Sequence, residues 1–397
     1  MSADSSRFET DSPSRDAGAM SCDDLVAWIL EHASPGGEIT ASSPLGDLGL
    51  SSRKVLEMSA ELSERLGRDV RPVSFWEFRT VGELAEGIID GPAGDAHRSA
   101  SDRSRGVSAR PDEEIAIVGC AVRVPGAANC DELWQLLERG ESSEARTDLG
   151  ARSGGASSFH RGSYFTDPYA FDHTWFSVTA REAETMDPQQ RLLLELTHEA
   201  FEDAGLTAGD HHDDEVTGVF VGVSSYDHGL ILHGSGVGDA HSVTGSALSV
   251  VSGRIAYVFG LSGPAISVDT ACSSSLTALH LAVQSLRLGE CSTAVVGGVN
   301  MVLSPQVFAS LKDGGFLAAD GRCKSFGADA DGYGRGEGGA VLILRRASDV
   351  ERGHARAMIL GSALNSDGRS NGLTAPQLTA QVRVMRAACR AASISPD

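Results

Sequence analysis

A chain of 397 residues is longer than one hydrophobic core usually supports, so more than one domain is expected. Its formal net charge of -21 removes nucleic acid from the partner classes, because phosphate binding needs a basic face. Seven cysteines without a C-x-x-C pair fit neither a disulfide framework nor a zinc site; no metal is expected, and a reducing cytosol is. No apolar stretch reaches the length of a bilayer span, and the N-terminus lacks an apolar signal core, so a cytoplasmic protein without a membrane partner is expected.

Residues 1–20, rich in Ser, Asp and Arg, are expected to be disordered. Helical spacing then places Leu25, Ile29 and Leu30 on a first helix that starts at Asp23-Asp24. A second helix begins near Ser51-Ser52 and carries Val55, Leu56, Met58 and Leu62; a third carries Val81, Leu84 and Ile88. These make a small helical bundle over 21–91. The next twenty residues hold almost nothing that can be buried, and a linker is placed at 92–111. From there the pattern changes to a buried strand, EEIAIVG (113–119), ending in glycine. A helix follows around Leu133–Leu137, then a low-complexity stretch at 141–158 and a long helix from Asp187 to Ala204. Strands are expected at Thr217–Val223, Ala265–Val268, Ala294–Val299, Ala340–Leu344 and Ala357–Leu360, with a helix over Ser273–Leu288. Alternating strands and helices, with 46 glycines for tight turns, indicate an α/β domain around a largely buried sheet.

Two segments carry chemistry. PLGDLGLSSRKVLEM (44–58) puts a serine at the start of a helix after a glycine turn, where unpaired backbone N–H groups favour a phosphodiester. The plainer account is that Ser51 or Ser52 is an N-cap. AISVDTACSSSLTALHLAVQSLRLG (265–289) reads as strand, turn, helix, with Cys272 at the turn. A thiol there faces the positive end of the helix dipole, which favours the thiolate that an acyl-accepting nucleophile needs. The plainer account of a lone cysteine is a small buried hydrophobe, and Cys22, Cys120, Cys130, Cys291, Cys323 and Cys389 are read that way.

The first segment resembles the acyl and peptidyl carrier family, whose core is L-G-x-D-S-L before a helix. Leu48-Gly49-Leu50-Ser51-Ser52-Arg53 matches it, with Ser51 for the aspartate and Arg53 for the following hydrophobic residue, and FWEFRTVGELAEGI (75–88) resembles the closing segment. The resemblance implies 4'-phosphopantetheine carried covalently on Ser52, and a phosphopantetheinyl transferase as partner. Residues 21–91 hold 13 acidic against 6 basic side chains, which suits docking on basic patches.

VDTACSSSL (268–276) resembles the active-site signature of the β-ketoacyl synthases of type I polyketide synthases. IAIVGCAVRVPGA (115–127), MDPQQRLLLE (186–195), GRIAYVFGLSGPA (253–265), GGFLAADGRCKSFGADADGYGRGEGGAVLIL (314–344) and NSDGRSNGLTAP (365–376) correspond to further family segments in order. The whole therefore resembles part of a modular polyketide synthase. The implied fold class is multidomain: a small all-α carrier bundle, then an α/β thiolase-like (layered αβαβα) ketosynthase truncated in its second half. The resemblance divides the ketosynthase at 112–355 and 356–397 and implies a homodimer. By the family's reaction, Cys272 takes an acyl group from a carrier thioester, and a malonyl-type extender is decarboxylated and attacks it. Acyl and malonyl-type thioesters on carrier domains, and other synthase modules, are the implied partners.

The family's two catalytic histidines lie in H-G-T-G-T and N-I-G-H motifs, which the sequence lacks; after Cys272 only His280 and His354 occur. The chain as written is therefore expected not to condense alone, and a sheet without all its covering layers is expected to expose apolar surface. A noncatalytic carrier and docking protein with a vestigial ketosynthase is the alternative; a biosynthetic thiolase is disfavoured by the attached carrier and the serine run after Cys272. Three other patterns fail their context. GRGEGG (334–339) feeds a strand rather than a dinucleotide-binding helix; Asp329 and Asp331 lack the closing glutamate of a calcium loop; and His211-His212 lacks the rest of a condensation-domain motif.

Overall fold

The computed structural model describes residues 20–33, 39–90, 109–110, 112–141, 162–206, 216–236 and 240–396. Nearly all of the N-terminal segment 1–20, the linker 92–111 and the low-complexity stretch 141–158 lie outside the described residues, as do His211 and His212. The chain divides into two units, Met1–Arg103 and Ser104–Asp397.

The first unit is a helical bundle of α1 (Cys22–His32), α2 (Ser52–Leu66), α3 (Ser74–Glu77) and α4 (Val81–Asp90). Ser21 caps α1 in a reciprocal capping box with Asp24, which satisfies donors the first turn would otherwise leave unpaired. Leu25, Ile29, Val55, Met58, Leu62, Val81, Leu84 and Ile88 meet in one core, as the helical periodicity predicts, whereas Leu56 lies off that face and is exposed. Phe75 of the four-residue α3 joins that core. One turn is too short to show a period, which is why the sequence does not announce it.

The second unit is built on a six-stranded mixed sheet. Its strands are β1 (Ile115–Arg123), β2 (Thr217–Gly222), β3 (Ala265–Val268), β4 (Thr293–Asn300), β5 (Gly338–Arg346) and β6 (Ala357–Ile359), in the order β3-β2-β4-β5-β1-β6. β2 runs parallel to both β3 and β4, whereas β5 is antiparallel to β4 and β1. The helices are α5 (Cys130–Glu138), α6 (Ala180–Thr185), α7 (Pro188–Asp203), α8 (Asp227–Ser235), α9 (Ala240–Ser246), α10 (Leu248–Phe259), α11 (Ser274–Leu288), α12 (Pro305–Asp313) and α13 (Leu378–Ala391). Leu193, Leu196 and Ala200 of α7 and Val251 and Ile255 of α10 cover one face of the sheet; Ala278, Ala282, Val283 and Leu286 of α11 cover the other.

One expectation changes here. The first strand does not end at Gly119 but runs on to Arg123. Gly119 is where α7 crosses the strand, and a Cβ there would lie 2.4 Å from the Ala200 carbonyl oxygen, so the glycine serves close approach rather than a turn. Helices lie on both faces of the sheet, and apolar side chains are nevertheless exposed on its elements, among them Leu276 and Leu288 on α11, Ile266 on the edge strand β3, Met358 on β6, and Leu378 and Met385 on α13. Among the described residues no helix is long and apolar enough to cross a membrane.

Candidate functional site

β2, β3 and β4 are parallel, so their C-terminal ends lie together on one edge of the sheet, where α/β proteins place their reactive groups. Cys272 sits there, exposed, in a one-turn 3-10 segment (Ala271–Ser273) between β3 and the start of α11. Ala271 enters the turn at φ 56°, a left-handed conformation that strains a residue with a Cβ by about 1–3 kcal/mol. Hydrogen bonds hold it: the Ala271 N–H donates to Asp269 Oδ1 at 2.9 Å, and Ser274 Oγ donates to the Ala271 carbonyl at 2.7 Å. The Thr270 N–H donates to Ser274 Oγ at 2.9 Å, and Thr270 and Thr277 share a hydroxyl contact of 3.0 Å. Ser273, whose Oγ donates to the Thr270 carbonyl at 2.9 Å, and Ser274 thus act as turn-builders.

Two glycines bring the helix down onto the strands. A Cβ on Gly222, the last residue of β2, would stand 2.4 Å from the Ser274 carbonyl carbon and 2.4 Å from the Ser275 nitrogen; one on Gly298 of β4 would stand 2.4 Å from Ser275 Oγ. Sequence reasoning counted glycines as turn formers and passed over both. Their signal is a glycine at or near the end of each of two strands, VFVG and VVGG.

Tyr333 lies within electrostatic reach of Cys272. Burial pushes its phenol up, Cys272 adds to the shift and Arg335 opposes it. His280 is the seventh residue of α11, about 9 Å along the helix axis from Ser274 at the standard rise. Its Nδ1 contacts Ser362 Oγ at 2.8 Å, and burial, then Arg287, lowers its pKa. His354 is exposed beside Glu351, at 3.7 Å. His280 thus contacts the segment after β6.

The MDPQQR segment braces the strand ends. Asp187 caps α7, accepting from the Gln189 N–H at 2.8 Å, and Pro188 fills the first helical position, where its missing donor costs nothing. The Gln189 side chain donates to the Ser225 carbonyl beyond β2 at 2.8 Å, and Arg191 donates to the carbonyls of Met186, Tyr169 and Ala183. Glu337, in the stretch read as a plain turn, is buried; it accepts from the backbone N–H groups of Val302 and Phe165 at 3.0 and 2.7 Å, tying β4, β5 and the 163–165 segment together. Asp331, weighed above for calcium, is held by Lys324 at 2.6 Å.

Asp187 offers a test of this brace. It is 1% exposed, and burial raises its carboxyl to about 6. An unfolded carboxyl titrates near about 4, so the folded state holds the proton more tightly, and stability falls as pH rises from about 4 to about 6. Buried His228 has a lowered pKa and works in the opposite sense, losing stability as pH falls below about 6.5. Comparing wild type with Asp187→Asn isolates the carboxyl: apart from a constant offset, the variant is expected to gain about 3 kcal/mol relative to wild type between pH 4 and pH 6 in denaturant titrations. Parallel curves would refute it.

In the first unit, Ser51 is the N-cap of α2, its Oγ accepting from the Lys54 N–H at 3.2 Å, and Ser52 is the first helical residue. Capping therefore falls to Ser51. The preceding loop turns at Gly49, φ 61°, and is tied to the entry of α4 by hydrogen bonds from Leu45 to Arg79, Val81 to Ser43 and Gly82 to Ala41. The first turn of α2 has no acidic residue but carries Arg53 and Lys54, a setting that fits an anionic phosphodiester.

Comparison with known proteins matches residues 24–88 to the phosphopantetheine attachment site family, 112–350 to the β-ketoacyl synthase N-terminal domain and 356–397 to the β-ketoacyl synthase C-terminal domain. The chain is 41% identical over 394 residues to a phenolphthiocerol/phthiocerol polyketide synthase of Mycobacterium tuberculosis, covering 94% of this chain and 21% of that protein. It is 41% identical over 388 residues to polyketide synthase GfsA of Streptomyces halstedii, covering 94% of this chain and 5% of that one. It thus spans about a fifth or less of these relatives. Among solved structures, the oxazolomycin ketosynthase domain OzmH KS7 of Streptomyces albus JA3453 superposes with a TM-score of 0.64 at 36% identity, covering 72% of this chain and 51% of that one. A ketosynthase from module 6 of the bacillaene synthase of Bacillus subtilis 168 gives 0.63 at 36% identity, covering 72% and 49%.

Proposed function

Because the chain belongs to the β-ketoacyl synthase family, with a thiolase-like ketosynthase fold behind a phosphopantetheine attachment domain, we propose that it is a carrier–ketosynthase segment of a modular polyketide synthase whose acyl acceptor is Cys272. The observation that carries this reading is the exposed Cys272 thiol at the apex of a braced strand–turn–helix, on the edge where three parallel strands end. The thiolate attacks the carbonyl of an acyl thioester, forms a new carbon–sulfur bond and releases the donor's thiol. Phosphopantetheine, when bound, supplies the thiol on which acyl chains are carried, and Ser52 is the residue assigned to hold it. The carrier domain is assigned to 21–91, the linker to 92–111, and the ketosynthase to 112–355 and 356–397.

The finer reaction is decarboxylative condensation with a malonyl-type extender. It needs donors that polarise the thioester oxygen, whereas His280 is engaged with Ser362 and His354 stands beside Glu351. A protein made of residues 1–397 alone is thus expected to accept acyl groups without forming carbon–carbon bonds. The open edge of β3 and the exposed Ile266 support pairing with a second copy, and the free thiols of its cysteines support a reducing, cytoplasmic location.

The test is incubation of the chain with a short acyl thioester, followed by peptide mass mapping. The acyl group is expected on the peptide holding Cys272 and absent from Cys272→Ala. Acylation unaffected by that substitution would sink the assignment, and no acylation of a folded chain would favour the noncatalytic carrier.

A further inference from the structure

Outside the site just described, one pair of nucleophilic side chains stands close enough to react. Cys120 lies in β1 and Cys130 is the first residue of α5; their sulfurs are 3.3 Å apart, and the Cys130 sulfur is 3.8 Å from the Cys120 carbonyl. Both side chains are partly exposed, so a small reagent can reach them. A disulfide bond is about 2 Å long, and closing the remaining gap asks for a movement of little more than an ångström at the start of one helix.

We propose that Cys120 and Cys130 form a reversible intramolecular disulfide in exchange with a low-molecular-weight disulfide. Cys130, having released its proton to solvent, attacks one sulfur of the small disulfide; a mixed disulfide forms and one small thiol leaves. Cys120 then attacks the Cys130 sulfur, gives up its own proton and expels the second small thiol. Two protein thiols are oxidised to one disulfide, and one small disulfide is reduced to two thiols. The order follows from placement: Cys130 is the first residue of α5, where the helix dipole favours a thiolate. Burial first, and then the contact with Cys130, push the Cys120 thiol up to about 12, which makes it the second to react.

The bond would act on a loosely seated element. α5 has no fully buried residue, and its Trp134 and Leu137 are exposed. Between the two cysteines runs the turn in which Val124 and Ala127 exchange backbone hydrogen bonds of 2.9 and 3.0 Å. That turn, with Tyr164 and Phe165, walls a surface groove of about 590 Å³. Oxidation would clamp the start of α5 to β1 and fix this wall, and reduction would release it.

The experiment is equilibration of the purified, reduced chain in glutathione buffers of rising oxidised fraction, followed by alkylation and mass mapping. Trypsin cuts after Arg123 and so puts the two cysteines on separate peptides. The expected result is a species lighter by about 2 Da, the two thiol hydrogens, with those two peptides linked and the change reversed by dithiothreitol. Cys120→Ser and Cys130→Ser should each abolish the link, and Cys272→Ala should leave it. Slower hydrogen exchange across 121–129 in the oxidised protein reads the clamp directly. Both cysteines still alkylated in the most oxidising buffer, or the mass loss mapped to another pair, would overturn the proposal. The mapping on the unmutated chain decides the matter even if a serine variant fails to fold.

Discussion

Replacing Gly222 with alanine is expected to slow acyl transfer to Cys272 about a hundredfold and to destabilise the second unit by about 3 kcal/mol. The new methyl group would sit 2.4 Å from the backbone of Ser274 and Ser275, and no side chain can swing aside to make room. The start of α11 must lift off β2, and the turn carrying Cys272 is built from hydrogen bonds to that same Ser274. A displacement of about 1 Å at a reacting atom is enough for a loss of this size. Denaturant unfolding and the rate of acyl uptake should change together. A Gly222→Ala protein with wild-type stability and wild-type uptake would show that the helix is not seated on the strand end. Gly298→Ala should be milder, because its conflict is with the movable Ser275 hydroxyl as well as its Cβ at 3.0 Å.

Ser52→Ala is expected to remove phosphopantetheine attachment completely, while Ser51→Ala leaves attachment intact and lowers the stability of the first unit by about 1 kcal/mol. The two neighbouring serines hold different places in the chain: Ser51 accepts the Lys54 N–H and caps the start of α2, whereas Ser52 is the first residue of the helix. Intact mass after incubation with coenzyme A and a phosphopantetheinyl transferase reads the first effect as an increment of about 340 Da, the mass of the phosphodiester-linked group. Thermal unfolding followed by circular dichroism reads the second. The full increment on Ser52→Ala, or its loss from a folded Ser51→Ala, would reassign the attachment point.

Much of this was legible in order along the chain. The helices α1, α4 and α7 follow the apolar spacing that marks them, whereas α2 and α11 bury one face but leave Leu56 and Leu276 exposed. α8 and α9 were not legible. Their sequences, DHGLILHGS and AHSVTGS, have weak propensity and no clean apolar stripe, and they are helical because of what packs around them. The position of Cys272 at a strand–turn–helix junction was readable from AISVDTACSSSL, and the family segments were readable from their length and order.

What the amino-acid sequence determined alone was therefore local or contiguous: the acidic balance, the two-part division into helical and α/β segments, and the Ser52 and Cys272 motifs. Only the tertiary structure decided that Gly119, Gly222 and Gly298 are places where a helix meets a strand, that Glu337 ties three segments, and that Cys120 and Cys130 face each other. The physical reason is common to all of them. A missing Cβ, a buried carboxylate and a thiol have meaning only through the atoms that approach them, and those atoms arrive from segments that the fold, not the spacing along the chain, brings near.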